Sequence, residues 1–304
     1  MASHILVIGE TLVDLVPGAN GREAILGGSP FNVAIGLGRL GAKVSIATSI
    51  STDKDGQRFK TALEGDHVDL SFTAIVDAPS PTALVEEGTK ESGPRYTFTL
   101  ANTAFMTPAP IPTEWPNGIA HVQLGSFAVI VDPLAEPVMA TLKAVQGLCT
   151  TSYDPNIRPM ITPDHAKARA AVEARVALVD LVKASEEDMA WLYPDRDPAD
   201  AMRDWLKLGP KLCVLTRGGK GVEAFTAEAH ITIPAPTITV ADTVGAGDSL
   251  MSSLLYAMDQ DGALGAAHMP WTKDAVTKWL SFGVKASAFT CTQKGSNPPR
   301  LGDL

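Results

Sequence analysis

Residues 242–249 read DTVGAGDS, and their types and order are suited to one kind of chemistry. Three small residues, Gly245, Ala246 and Gly247, run into Asp248, and the segment LMSSLLYAM that follows has the spacing of a buried helix. The start of a helix leaves N–H groups without carbonyl partners and carries the positive end of the dipole, so it suits an anion. An aspartate in the same place would repel that anion. The pairing makes sense when the anion is a phosphoryl group in transit and the carboxylate faces its acceptor. A sugar hydroxyl is a weak nucleophile at neutral pH, and a positioned carboxylate takes its proton as it attacks. The backbone N–H groups of Gly245, Ala246 and Gly247 then stabilise charge gathering on the phosphoryl oxygens. The same residues also read as a glycine-rich turn with Asp248 as the helix N-cap.

Such a turn needs a scaffold, and the chain alternates between strand and helix. HILVIGE (4–10) predicts a buried parallel strand, residues 30–40 a helix with Gly41 as its C-cap, and 42–50 a second strand. The rhythm resumes with HVQLG, a helix over 134–146, CTTSYD, a helix over 163–177 and LVKAS. Strands at 212–217 and 221–225 and helices over 247–259 and 271–289 complete it. This order predicts an α/β, doubly wound, mostly parallel sheet covered on both faces. Residues 11–26 and about 70–101 break the rhythm with alternating apolar and polar positions (TLVDLVP, FTAIVDA, TALVEEG, RYTFTLA). They predict a small antiparallel sheet, a lid grown from the single domain that spans 1–304.

At 304 residues, 45% hydrophobic and 19% charged, the chain can bury a large core. A formal charge of −9 argues against a nucleic-acid partner, which would need a basic face, but not against a single nucleotide. Cys149, Cys213 and Cys291 are far apart and form no C-x-x-C pair, so neither a disulfide framework nor a zinc site is expected. MASHILVIGE has no basic leader, and no apolar run reaches the ~18 residues of a membrane span. The expectation is a cytoplasmic protein with no membrane partner.

Three motifs are false leads. Gly36-Leu37-Gly38-Arg39-Leu40-Gly41 matches G-x-G-x-x-G, but it ends a helix instead of opening one, so Gly36 and Gly38 read as close-packing positions. Asp53-x-Asp55 has its glycine too early for a calcium loop and reads as a turn. Gly218-Gly219-Lys220-Gly221 lacks the hydroxyl and the upstream glycine of a P-loop.

With these set aside, DTVGAGDS resembles one signature of the ribokinase/PfkB carbohydrate kinase family. GGSPFNVAIGLGRLGAKV resembles its other signature, and TDKDGQRF, PTALV, YDPNIRP, SEEDM, VLTRGGKG and TQKGSNPP follow in the family's order. The resemblance covers nearly the whole chain, and YDPNIRP and GETLVDLVP are most similar to the fructokinase branch.

The resemblance implies a ribokinase-like fold, ATP as co-substrate, Mg²⁺ on its phosphates, and Asp248 as the base. It implies that Asp14 accepts sugar hydroxyls, that Gly27 and Gly28 let the backbone approach the sugar, and that Asn32 offers an amide. Arg158 would lie near the sugar or the transferred phosphate, and Thr216, Gly218 and Gly221 against the nucleotide, with Ser185 beside them. From residue types alone, Asp14, Gly27, Gly28 and Asp154-Pro155 are equally turn residues, and TRGGKG equally a hairpin. SEEDM departs from the family's N-x-x-E: Ser185 replaces Asn and Asp188 replaces Glu. Water-mediated magnesium binding then falls to Asp188 or Glu187, which as acids opening a helix also suit its dipole. The resemblance further implies a K⁺ ion beside the anion hole, held by Asp242 and carbonyls of Val244, Thr290, Gln293 and Gly295, although Pro299 stands where many relatives have a serine. A homodimer through the lid belongs to the same expectation.

The activity expected is ATP-dependent phosphorylation of a small sugar, with fructose favoured over 2-keto-3-deoxygluconate, ribose or another ketose. Rivals of other classes are a non-catalytic sugar or nucleotide sensor on the same fold and an NAD-dependent oxidoreductase.

Overall fold

The computed structural model describes residues 3–18, 21–86, 95–112, 118–265 and 271–304. Thirteen strands are present among them: β1 His4–Ile8, β2 Leu12–Gly18, β3 Gly21–Gly27, β4 Lys43–Ser51, β5 Thr73–Val76, β6 Thr82–Glu86 and β7 Arg95–Thr99. β8 Ile119–Gly125, β9 Thr150–Asp154, β10 Leu181–Ser185, β11 Leu212–Thr216, β12 Val222–Phe225 and β13 His230–Ile233 follow. The helices are α1 Ser29–Arg39, α2 Lys54–Gly65, α3 Ala135–Val145, α4 His165–Val176, α5 Glu186–Leu192, α6 Pro198–Leu206, α7 Ala246–Gln260 and α8 Lys273–Cys291.

Nine strands form one sheet in the order β13-β12-β11-β10-β9-β8-β1-β4-β5. Pairing is parallel from β5 to β11, and β12 runs antiparallel to both of its neighbours, β11 and β13. Residues Ile5 to Ile8 of β1 are fully buried. Because successive side chains point to opposite faces, Leu6 and Ile8 join the core beneath α3 to α6, whereas Ile5 and Val7 join the core with α1, α7 and α8. Burying each such side chain contributes about 1.5–3 kcal/mol. This two-sided burial explains why β1 is continuously apolar, whereas the buried polar side chains of β8 and β9 are satisfied by one another, His121 pairing with Thr150 and Ser152.

β3-β2-β6-β7 form a separate four-stranded sheet, the lid. Two expectations for it are corrected. The sheet is mixed and not antiparallel throughout, because β2 pairs with β6 in parallel while β2–β3 and β6–β7 are antiparallel. β5, the FTAIVDA strand, pairs in parallel with the end of β4 and closes the edge of the large sheet. An exposed edge strand and a one-sided lid strand bury the same alternate positions, so the pattern could not separate them. Residues 87–94 of the expected lid segment lie outside the described residues.

The false motifs resolve by packing. A Cβ on Gly36 would sit 2.3 Å from the Ser252 hydroxyl of α7, and one on Gly38 would sit 2.0 Å from the Asp66 carbonyl. Asp53 does more than turn the chain: its carboxylate caps α2, accepting the Gly56 N–H at 2.8 Å. The free cysteines Cys149 and Cys213 are core residues. No helix among the described residues is long and apolar enough to cross a membrane.

Candidate active site

β1 is flanked by β4 on one side and β8 on the other, so the strand order reverses there and opens a crevice at the carboxyl ends of the strands. Five of the polar groups around it sit at or just past such an end. Glu10 follows β1, Ser126 follows β8, Asp154 ends β9, Ser185 ends β10 and Thr216 ends β11. They line a cavity of about 770 Å³ that the lid strands roof with Asp14, Ile25, Tyr96 and Phe98.

At its centre is Asp248. The N-cap of α7 is Gly245, held at φ 77°, and Asp248 lies three residues on, inside the first turn. The capping alternative is therefore excluded. The Asp248 carboxylate makes no cap and instead accepts the Ser29 hydroxyl at 2.6 Å and the Asn32 amide at 2.8 Å. Burial pushes its pKa up, while Ser29, Asn32, Lys183 and Arg158 pull the other way. The result is a desolvated, oriented carboxylate, stronger as a base than one in water.

The turn before it is shaped for an anion, with one correction. The Ala246 N–H donates to the Thr243 carbonyl at 3.2 Å, so it closes the turn and is not free. Gly247, in the first turn, has no carbonyl one turn back to receive its N–H. Gly245 is required twice over, by its left-handed conformation and because a Cβ there would lie 2.1 Å from the Ser296 hydroxyl.

On the sugar side, Asp14 is half-buried, and burial pushes its pKa up to about 6 against the opposing charge of Arg158. Gly27 does not line the cavity. A Cβ there would meet the Asp14 carboxylate at 2.5 Å, so Gly27 makes room for that side chain. Gly28 lines the cavity at φ 102°, tight against the Glu10 carbonyl. Asn32 also lines it and gives one amide N–H to Asp248, which leaves the second N–H and the amide oxygen facing the cavity residues. Arg158 is anchored through Nη1 to the Asn156 side chain at 2.7 Å and faces Asp14, Glu10 and Asp248.

On the opposite side, Thr216, Gly218 and Gly221 line the same cavity, and they also form the hairpin between β11 and β12. An apolar slot of Val240, Val244, Val284 and Ala288 continues from it. Ser185 caps α5, and Asp188 completes a capping box. Asp188 accepts from Ile157 N–H at 2.7 Å, Ser185 N–H at 2.9 Å and the Ser185 hydroxyl at 2.7 Å, which leaves it about one of a carboxylate's four acceptor positions for a magnesium-bound water. Glu187 is exposed at the cavity wall. Among the described residues no group of three or more His, Cys, Asp or Glu could hold a metal ion. Asp242 ties two loops together, accepting from Val244 N–H at 3.1 Å and Gly295 N–H at 2.9 Å. Thr290 and Gln293 lie outside the cavity, Thr290 fully buried with its carbonyl accepting the Gln293 N–H.

Sequence reasoning missed a buried ion pair and a buried acid. Lys183 Nζ lies 2.6 Å from Asp154 Oδ2, both nearly inaccessible, and a Cβ on Gly247 would be 3.3 Å from that ammonium. Burial opposes both charges, but Asp154, Asp188 and Asp248 together hold the Lys183 pKa above its ordinary value. Glu10 is 4% exposed, and burial pushes its carboxyl up to about 7. A charged residue inside an otherwise apolar strand (LVKAS) was the available signal for Lys183.

Comparison with known proteins agrees with this geometry. Residues 2–301 match the model of the pfkB family of carbohydrate kinases. The chain belongs to that family. This carbohydrate kinase is 33% identical to a fructokinase of Rhizobium leguminosarum bv. trifolii over 86% of its own length and 81% of the relative's. Its fold matches a double mutant of the Vibrio cholerae fructokinase in a fructose-, ADP- and potassium-bound form, with a TM-score of 0.82, 23% identity and 97% and 94% of the two chains covered. It also matches the Salmonella enterica aminoimidazole riboside kinase, complexed with aminoimidazole riboside and an ATP analog, with a TM-score of 0.80, 22% identity and coverage of 96% and 95%. The kinase therefore has the ribokinase-like fold: a large, mostly parallel sheet between helices and a smaller separate sheet.

Proposed function

We propose that this carbohydrate kinase transfers the γ-phosphoryl group of ATP to a hydroxyl of fructose. The observation that carries the reading is the position of Asp248. It is buried between a polar pocket under the lid and a glycine-lined slot, and two donors hold its carboxylate. Asp248 takes the proton of the attacking hydroxyl. The N–H groups of Gly245 and Gly247, with the α7 dipole, steady the phosphoryl oxygens. Asp14, Gly28 and Arg158 bind the sugar, and Thr216, Gly218, Gly221 and Ser185 face the nucleotide. The fructokinase relatives favour fructose as acceptor.

Magnesium on this reading arrives with the ATP phosphates, because such ions keep most of their water and need few protein ligands. Glu187, exposed at the cavity wall, suits a water-mediated contact. A potassium ion would sit against the Asp242 loop, supported by the potassium-bound relative and by the tie from Asp242 to Gly295. A homodimer through the lid would have to use other residues than Leu15 and Leu26, which pack against the core of their own chain. Three unpaired cysteines are in keeping with a cytoplasmic, reducing setting.

The test is an assay of sugar-dependent ADP release over ketoses, aldoses, sugar acids and ribosides. Fructose should give the highest kcat/KM, with ADP release negligible when no sugar is present. A higher kcat/KM for a sugar acid or riboside would move the acceptor assignment, and equal release without any acceptor would overturn the kinase reading.

A further inference from the structure

Glu10 is not required by the phosphoryl-transfer steps above, yet it stands among the groups that perform them. It follows β1, at the crossing from the large sheet into the lid strand β2. Its carboxyl is buried, takes hydrogen bonds from its own backbone N–H and from Ser126, and leaves Oε2 without a partner. It also lines the cavity, with Arg158 and Asp248 the charged groups that face it. A buried polar atom with no partner costs about 1–3 kcal/mol unless a water, ion or ligand completes it, and Oε2 is one that belongs to a cavity-lining residue.

We infer that Glu10 is a further sugar-binding residue, presenting Oε2 to an acceptor hydroxyl other than the one that attacks. The inference rests on the sugar-kinase reading and deepens it. Arg158 faces three carboxyls, those of Asp14, Glu10 and Asp248. With burial holding Glu10 near 7, it keeps a proton in a large share of molecules at neutral pH and donates where Asp14 and Asp248 accept. A polyol hydroxyl both donates and accepts, so a mixed set of this kind reads its orientation. Glu10 also borders a void of about 10 Å³ with Thr11 and Ser49, large enough for one water, and a purely internal, water-bridged role is the rival.

The experiment measures kcat/KM for fructose and a series of singly deoxygenated ketohexoses in the wild type, Glu10→Ala and Glu10→Gln. Taking ratios between proteins cancels differences in the ring forms of the sugars. The wild type should lose about 10–100-fold with the analogue lacking the hydroxyl that Glu10 reads. Glu10→Ala should lose that discrimination for this analogue alone, with the KM for ATP unchanged. Glu10→Gln, which can still donate and accept, should restore most of it. A uniform loss over every sugar in Glu10→Ala, or a penalty unchanged in all three proteins, would overturn the inference while leaving the kinase reading in place. Wild-type inactivity toward every sugar would instead overturn both.

Discussion

The Asn32 side chain donates to Asp248 Oδ2 at 2.8 Å, so the first turn of α1 orients the carboxylate on the first turn of α7. Ser29, three residues earlier, holds the other oxygen at 2.6 Å. The two helices keep this register because Gly36 lets α1 approach Ser252 of α7. The signatures from opposite ends of the chain thus form one device, a base and its holder.

Replacing Asp248 with Asn removes the proton acceptor but preserves shape. Turnover should fall by roughly 10²–10⁴ while the melting temperature and nucleotide affinity stay close to those of the wild type. Steady-state kinetics and calorimetry on the same preparation check this. Near-normal kcat would remove Asp248 from the role of base.

The Lys183–Asp154 pair gives a stability prediction. Lys183→Met strands the buried Asp154 carboxylate, whose Oδ1 already lacks a partner, and should destabilise the protein by about 3–5 kcal/mol. Adding Asp154→Asn removes the stranded charge and should recover a large part of the loss. Urea unfolding of the single and double variants measures both. Strictly additive losses would show that the two groups do not interact energetically.

Glu10 should tie stability to pH. Burial raises its pKa from 4.5 to about 7, with Arg158 and Asp248 the charged groups facing it. The folded state therefore holds the proton more tightly than the unfolded chain. Its stabilising effect is full below about pH 4.5 and is lost as the pH rises through 7. Asp14, raised from 3.8 to about 6, acts in the same direction. Glu10→Gln cannot titrate, so its stability relative to wild type should climb by up to about 3 kcal/mol between pH 5 and pH 8. Parallel denaturation profiles across that range would contradict the shift.

A monovalent ion at the Asp242 loop should order the turn carrying Gly245 and Gly247. At constant ionic strength, turnover should be at least several-fold higher in K⁺ than in tetramethylammonium, with Na⁺ between them. Asp242→Ala should abolish the difference. Identical rates in the three salts would dismiss the site.

Much of this protein is determined by local sequence. Strand and helix alternation is a nearest-neighbour pattern, so the parallel sheet, α1, α7 and α8 were legible, with boundaries within about two residues. The turn at Gly245 to Asp248 was legible too, since small residues before an acid and an apolar helix carry their reason with them. Only the tertiary structure decided which sheet β5 joins, because an edge strand and a lid strand bury the same alternate positions. Only it showed Asn32 donating to Asp248, Asp188 capping α5, and Ala246 closing its own turn. Each of these is a partnership with a group the residue type does not name. Glu10, Lys183 and Asp154 were missed for the same reason: side chains from the ends of β1, β10 and β9 lie far apart in the chain. They acquire partners, burial and shifted pKa values only when the parallel sheet brings the strand ends together.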